Sequence, residues 1–164
     1  MWCSVSHQRF SSKKGQNKLL LRYDLSYLSY NVEVWGTACD KYLTPLVVQQ
    51  KRVIRTMCGA GKYDHTSALF YELGILKFED IFKYHVSVRM FRCMSEGRFT
   101  CAHEVNTRNR TLAKPTFHRL SQTQRAFSHI GPKVWNSLPI NLRSISSFRC
   151  FKKKLKIYLV SNYV

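Results

Sequence analysis

LTPLVVQQKRVIRTMCG, residues 43–59, is the stretch whose reading decides the fold. Val47, Gln50, Ile54 and Met57 recur at i, i+3, i+7 and i+10, the spacing that places side chains on one face of an α-helix. Thr44 is positioned to cap this helix, and Pro45 suits the first helical position, where its missing N–H costs nothing. Gly59-Ala60-Gly61 supplies the stop. Opposite the stripe, Lys51, Arg52 and Arg55 are neighbours at three- and four-residue spacing and form a compact basic patch.

Helical signals extend in both directions from this segment. Upstream, Leu21, Leu25, Leu28 and Val32 share a stripe, so a helix is expected from Asn17 to Trp35, punctuated by Gly36. Downstream, Thr66 can cap a short helix over Ser67–Leu73 that Gly74 closes. A longer helix is expected from Lys77 to Ser95, with Ile81, Tyr84, Val88 and Phe91 on its inner face. Glu79 and Asp80 sit in its first turn, where the helix dipole favours anions, and Gly97 ends it. Residues 98–115 are polar and basic, a linker or mobile loop. Between Phe117 and Ile130 the periodicity is weak and leaves room for one or two short strands, a single β-hairpin at most. Gly131-Pro132 reads as a turn, followed by an apolar knot of Val134, Trp135, Leu138 and Pro139. A last amphipathic helix is expected over Ser147–Val160. Phe148, Phe151, Leu155, Tyr158 and Leu159 form its apolar face; Arg149, Lys152, Lys153 and Lys156 form its basic one.

The expected architecture is therefore mainly α. A basic flexible N-terminus covers 1–16, a helical unit 17–97, a linker 98–115 and a basic C-terminal unit 116–164. No run of 18 apolar residues occurs, and the first fifteen residues lack the apolar core of a secretory signal. The chain is expected to be intracellular, nuclear or cytoplasmic, with no membrane partner.

Charge narrows the function. The net charge is +18, and it is unevenly distributed. Residues 105–164 carry 12 Lys and Arg and no acidic residue, whereas the first 104 carry 15 basic and 9 acidic residues. So one-sided a surface repels itself unless a polyanion supplies counter-charge, and nucleic acid is the usual one. A membrane-surface protein or a ribosomal-type structural protein would also satisfy the composition. Lys and Arg on a helix face can neutralise phosphates, and Tyr, Phe and Trp can stack unpaired bases.

Catalytic constellations are missing. Asp24, Asp40, Asp64 and Asp80 stand apart, and Glu79-Asp80 is accounted for by the helix start, so a two-metal polymerase or nuclease site is not expected. Gly59-Ala60-Gly61-Lys62 resembles part of a phosphate loop, but Tyr63 stands where a hydroxyl ligand is needed. The six cysteines (3, 39, 58, 93, 101 and 150) contain no Cys-x-x-Cys and read as reduced and structural. Cys93, Cys101 and His103, with His118 as a distant fourth ligand, make only a poor zinc pattern. No cofactor or metal is expected. Trp135 is read as structural rather than as a stacking platform, with Asn136 bonding its own backbone in a turn.

Five segments, in order, resemble the region after the polymerase palm in LINE-type, jockey-like non-LTR retrotransposon reverse transcriptases. LLLRYDLSYLSYNVEVWG (19–36), ending in Trp35-Gly36, is similar to that family's helix closing on Trp-Gly. LTPLVVQQKRVIRTMCG (43–59) resembles its Leu-x-Pro-Leu…Gln-Lys-Arg-x-Ile-Arg helix, and DHTSALFYELGILKFEDIF (64–82) its His-Thr-x-x-Leu-Phe segment. GPKVWNSLP (131–139), with Trp135, Asn136, Leu138 and Pro139, and SFRCFKKKLKIYL (147–159) are similar to its closing motifs. The resemblance implies that the first half corresponds to the thumb, which grips primer–template duplex, and the second to the region that follows it. It implies RNA and DNA as non-specific, salt-dependent partners, together with the remainder of the polymerase if the parent element is intact. The family's fingers, palm with its Asp-Asp pair and endonuclease have no counterpart in these 164 residues, nor has the zinc knuckle of some other retrotransposon proteins, so no catalytic residue carries over and the chain by itself is not expected to be an enzyme. Met1 stands just upstream of the thumb helix, as expected for a truncated element or a misassembled exon. The alternatives are a repurposed protein–protein adaptor, or a remnant without function.

Overall fold

The structure is a computed structural model that describes residues 26–99, 112–115 and 119–163. The expected flexible N-terminus, the start of the first helix and most of the expected linker lie outside these residues, as do Cys101, His103 and His118. The fold is mainly α, with no strand among the described residues. The helices are α1 (Val32–Trp35), α2 (Asp40–Cys58), α3 (Ser67–Leu73), α4 (Phe78–Ser95), α5 (Ser121–Gln124), α6 (Phe127–Asn136), α7 (Ile140–Arg143) and α8 (Phe148–Ser161).

Helix α4 is the central strut, packing against α1, α2, α6 and α8. The single expected stripe is too narrow for this role. Ile81 and Phe91 are buried, but so are Val86, Ser87, Met90 and Cys93, while Tyr84 and Val88 are only half-buried. A helix packed on several sides needs apolar or satisfied residues on all of them. Ser87 meets that need by donating its hydroxyl to the Lys83 carbonyl at 2.6 Å.

The first helix is not continuous to Trp35. Residues 26–29 are helical, then Asn31 takes a left-handed conformation (φ 48°) before α1 begins. Asparagine tolerates that region better than other non-glycine residues. The Trp35 indole N–H donates to the Tyr30 carbonyl at 2.6 Å and so bridges the break, while its ring stacks on Phe78 at 5.5 Å. A Cβ on Gly36 would strike the Val32 carbonyl and come within 2.6 Å of the Phe82 ring, so only glycine lets α1 approach α4 this closely.

Helix α2 begins at Asp40, not at Pro45. Pro45 lies inside it, and Thr44 does not cap; its hydroxyl instead donates to the Asp40 carbonyl at 2.8 Å. Gln50, on the otherwise apolar stripe, is buried and bridges two helices. Its amide donates to the Leu76 carbonyl at 3.0 Å, and its oxygen accepts the Phe78 N–H at 2.9 Å. That N–H opens α4 and has no partner within its own helix. Helix α3 has the expected bounds, but Thr66 makes no side-chain cap.

The stretch expected to hold short strands forms α5 and the start of α6, and Gly131-Pro132 lies inside α6 rather than at a turn. Burial overrides local propensity here. Both residues are buried, and a Cβ on Gly131 would come within 2.7 Å of the Met90 sulfur, so the glycine sets the close approach of α4 and α6. The main core joins Ile81, Met90 and Phe91 to Trp135, Leu138, Leu142, Phe151, Leu155 and Leu159, from both sides of the 98–115 segment. A smaller cluster of Ile54, Phe70 and Ile75, flanked by Tyr163, lies beside it.

Candidate nucleic-acid interface

Helix α8 forms where Phe151, Leu155 and Leu159, all buried, repeat at four-residue spacing against α4 and α7. This seating leaves Arg149, Lys153 and Lys156 exposed, with Lys152 half-buried. The Lys152 ammonium lies 5.5 Å from the centre of the Phe148 ring, and the Arg92 guanidinium of α4 lies 4.8 Å from the same centre. Cations favour an aromatic face, and these two bind α4 and α8 into one basic seam.

Nothing local in the sequence marks Arg92. It sits on the outer side of α4, and its neighbourhood with Lys152 exists only because Phe148 packs on Phe91 at 5.8 Å. His85 also approaches this seam. Its imidazole is held below its ordinary range chiefly by burial; Glu33 opposes this and Lys152 adds a smaller push downward.

The acidic side chains that form ion pairs do so with other cations. Among the described residues the ion pairs are Lys83–Asp80, Arg89–Glu33 and Arg98–Glu96. Arg89, although 4.3 Å above the Phe127 ring, is thus neutralised by Glu33. Arg92, Arg149, Lys152, Lys153 and Lys156 take part in none of these pairs.

The basic patch of α2 is not one solvated face. Arg52 is exposed, but Lys51 and Arg55 are half-buried and line a cleft of about 490 Å³ between α2, the loop before α3 and the start of α4. Arg55 donates its Nε–H to the Asp64 carbonyl at 3.0 Å and anchors that loop. Gly59 is the left-handed helix stop (φ 66°), and the Gly61 N–H is taken by the Asp64 carboxylate at 2.7 Å. The Gly59–Lys62 segment is thereby closed on itself and does not cradle a phosphate.

Trp135 is 3% exposed, tilted against Phe151 at 5.7 Å and edge-on to Phe91 at 6.4 Å, which leaves no open face for a base. Asn136 does not bond its own backbone. Its side chain pairs with both the N–H and the carbonyl of Ala113, each at 2.9 Å, and ties that distant, buried residue to α6. Leu138 is buried and Pro139 opens α7. Cys39, Cys58, Cys93 and Cys150 carry free thiols. Among the described residues no cluster of three His, Cys, Asp or Glu is arranged to hold a metal, and no helix is long and apolar enough to cross a membrane.

The chain matches no protein-family model, no curated protein and no solved structure.

Proposed function

We propose that this chain is the thumb and post-thumb piece of a LINE-type, jockey-like non-LTR retrotransposon reverse transcriptase, without the catalytic palm, and that its role is electrostatic binding of RNA and DNA. In an intact parent it would grip template–primer duplex. The observation that carries the binding reading is the seam on α4 and α8: five cations without acidic partners among the described residues, four of them in a segment of sequence free of acids. A polyanion gains there by releasing its condensed counterions, and nothing in the seam is built to read base edges.

The test is equilibrium binding of an RNA–DNA hybrid across a salt series. Log affinity should fall linearly with log salt, by roughly one unit of slope for each phosphate engaged. Sequence preference should be slight. Absence of binding at low salt, or affinity indifferent to salt, would sink the electrostatic reading. A second reading, a protein–protein adaptor, draws on the exposed Tyr27, Tyr30 and Tyr42, all in the first part of the described sequence. Partner binding that survives high salt while nucleic acid is ignored would favour it.

A further inference from the structure

We propose that the cleft between α2, the loop before α3 and the start of α4 is a nucleotide pocket that takes one phosphate-bearing unit of a nucleic-acid strand; this rests on the nucleic-acid reading above but uses none of the seam residues.

The cleft has the volume of a small-ligand site, about 490 Å³. Its floor is formed by buried Gln50, Thr66, Phe70 and Phe78. The Gln50 carboxamide is fully committed to Leu76 and Phe78. Thr66 is not committed. It is 7% exposed and stands immediately before α3, yet its hydroxyl neither caps that helix nor makes any other hydrogen bond among the described residues. Its hydroxyl is open to the solvent of the cleft rather than stranded, and so is available to bond a ligand entering there.

Lys51, half-buried in the wall, likewise has no ion-pair or hydrogen-bond partner among the described residues. Arg55 beside it is pinned through Nε, which leaves the outer edge of its guanidinium for a ligand. Lys77 adds a third fixed positive charge, held by the Ser67 hydroxyl at 3.1 Å and over the Tyr163 ring at 4.2 Å. Of the two acids lining the cleft, Asp64 is already engaged by the Gly61 N–H. Glu79 is exposed and can accept from a sugar hydroxyl or a base amine. Tyr63, 86% exposed, offers an aromatic face at the mouth.

This donor set fits a nucleotide better than its simpler rivals. Phosphate suits Lys51, Arg55 and the Thr66 hydroxyl, because guanidinium and ammonium bind it through charge-assisted hydrogen bonds. Bare phosphate leaves most of the volume, Glu79 and Tyr63 unused. An apolar ligand would strand Lys51 and Thr66. Stacking on tyrosine tolerates any base, in keeping with binding indifferent to sequence.

The experiment is calorimetric titration of the full chain with uridine 5′-monophosphate and, separately, with inorganic phosphate, at low salt. The nucleotide should bind several-fold more tightly than phosphate. Thr66→Val and Lys51→Ala should each weaken it by about tenfold, the usual effect of deleting one hydrogen bond to a charged group. Lys51→Ala carries the test if Thr66→Val lowers the melting temperature. Tyr63→Ala should weaken nucleotide but not phosphate. Ile157→Ala, exposed on α8 and outside both the cleft and the seam, should keep the parent's nucleotide affinity. No binding, equal affinity for phosphate and nucleotide, or parental affinity in Lys51→Ala would overturn the pocket. Hybrid binding without nucleotide binding would remove the pocket and leave the seam; nucleotide binding without salt-dependent hybrid binding would do the reverse.

Discussion

Gln50 is the residue on which the junction of α2 and α4 turns. Its carboxamide closes two backbone groups that lie too deep for water, the Leu76 carbonyl and the Phe78 N–H. Gln50→Leu would preserve size and extend the apolar stripe, so hydropathy alone favours it. The outcome expected is the opposite, a loss of about 1–3 kcal/mol for each stranded group, because an unmade buried hydrogen bond costs its full desolvation. Urea denaturation reads this directly, and an unchanged midpoint would mean that water reaches both groups. At the other end of the chain Tyr163 does similar work. Its hydroxyl accepts the Lys77 N–H at 2.9 Å and donates to the Asp80 carboxylate at 2.7 Å. Burial, followed by the bond to Asp80, raises the phenol well above its ordinary range, so it stays protonated as that donor requires.

The helices divide the basic residues by what each helix must bury. On α8 the cations lie away from the buried Phe151, Leu155 and Leu159, with only Lys152 half-buried, whereas on α2, packed against α3 and α4, Lys51 and Arg55 line a cleft. Replacing Lys152, Lys153 and Lys156 together by Ala should weaken hybrid binding and flatten the salt slope by roughly one unit for each phosphate no longer engaged. Arg92→Ala, on a different helix, should act in the same direction by a single phosphate. If both variants bind like the parent, the seam is an ordinary solvated surface. The α2 residues call for separate substitutions: Arg52→Ala should leave stability unchanged, while Arg55→Ala also releases the loop it holds at Asp64.

For the molecule as a whole, the decisive packing is that of Trp135 between Phe91 and Phe151. These three rings come from α6, α4 and α8, so the core crosses the 98–115 segment rather than stopping at it. Trp135→Ala should cost about 3–5 kcal/mol, as large-to-small core changes do. Domains of this size have only about 5–15 kcal/mol in total, so the melting temperature of the entire chain should fall, not that of the second half alone. Thermal denaturation followed both by far-ultraviolet dichroism and by tyrosine fluorescence checks it. An intact melt with weakened single-strand binding would instead restore Trp135 as a stacking platform.

Much of the helical layout can be read from the chain alone, because helix periodicity and stop signals are local. The bounds of α3 and α8, the stop at Gly59, the apolar face of α8 and its basic opposite all follow from residues within a few turns of one another. Charge segregation, too, is a property of composition and order. Local spacing leaves open whatever depends on a partner far along the chain. Asn136 reads as a turn residue because the group it serves, Ala113, is distant. Gly131-Pro132 reads as a turn because only the nearness of Met90 makes a glycine necessary inside a helix there. Gln50 is a flaw in a stripe until Leu76 and Phe78 stand beside it. Arg92 joins Lys152, and Lys51 and Arg55 turn into a cleft with Thr66, only through tertiary packing. Local spacing fixes which face a side chain takes on its own helix; what that face meets is settled by burial of apolar surface, which has no direction and no memory of sequence distance.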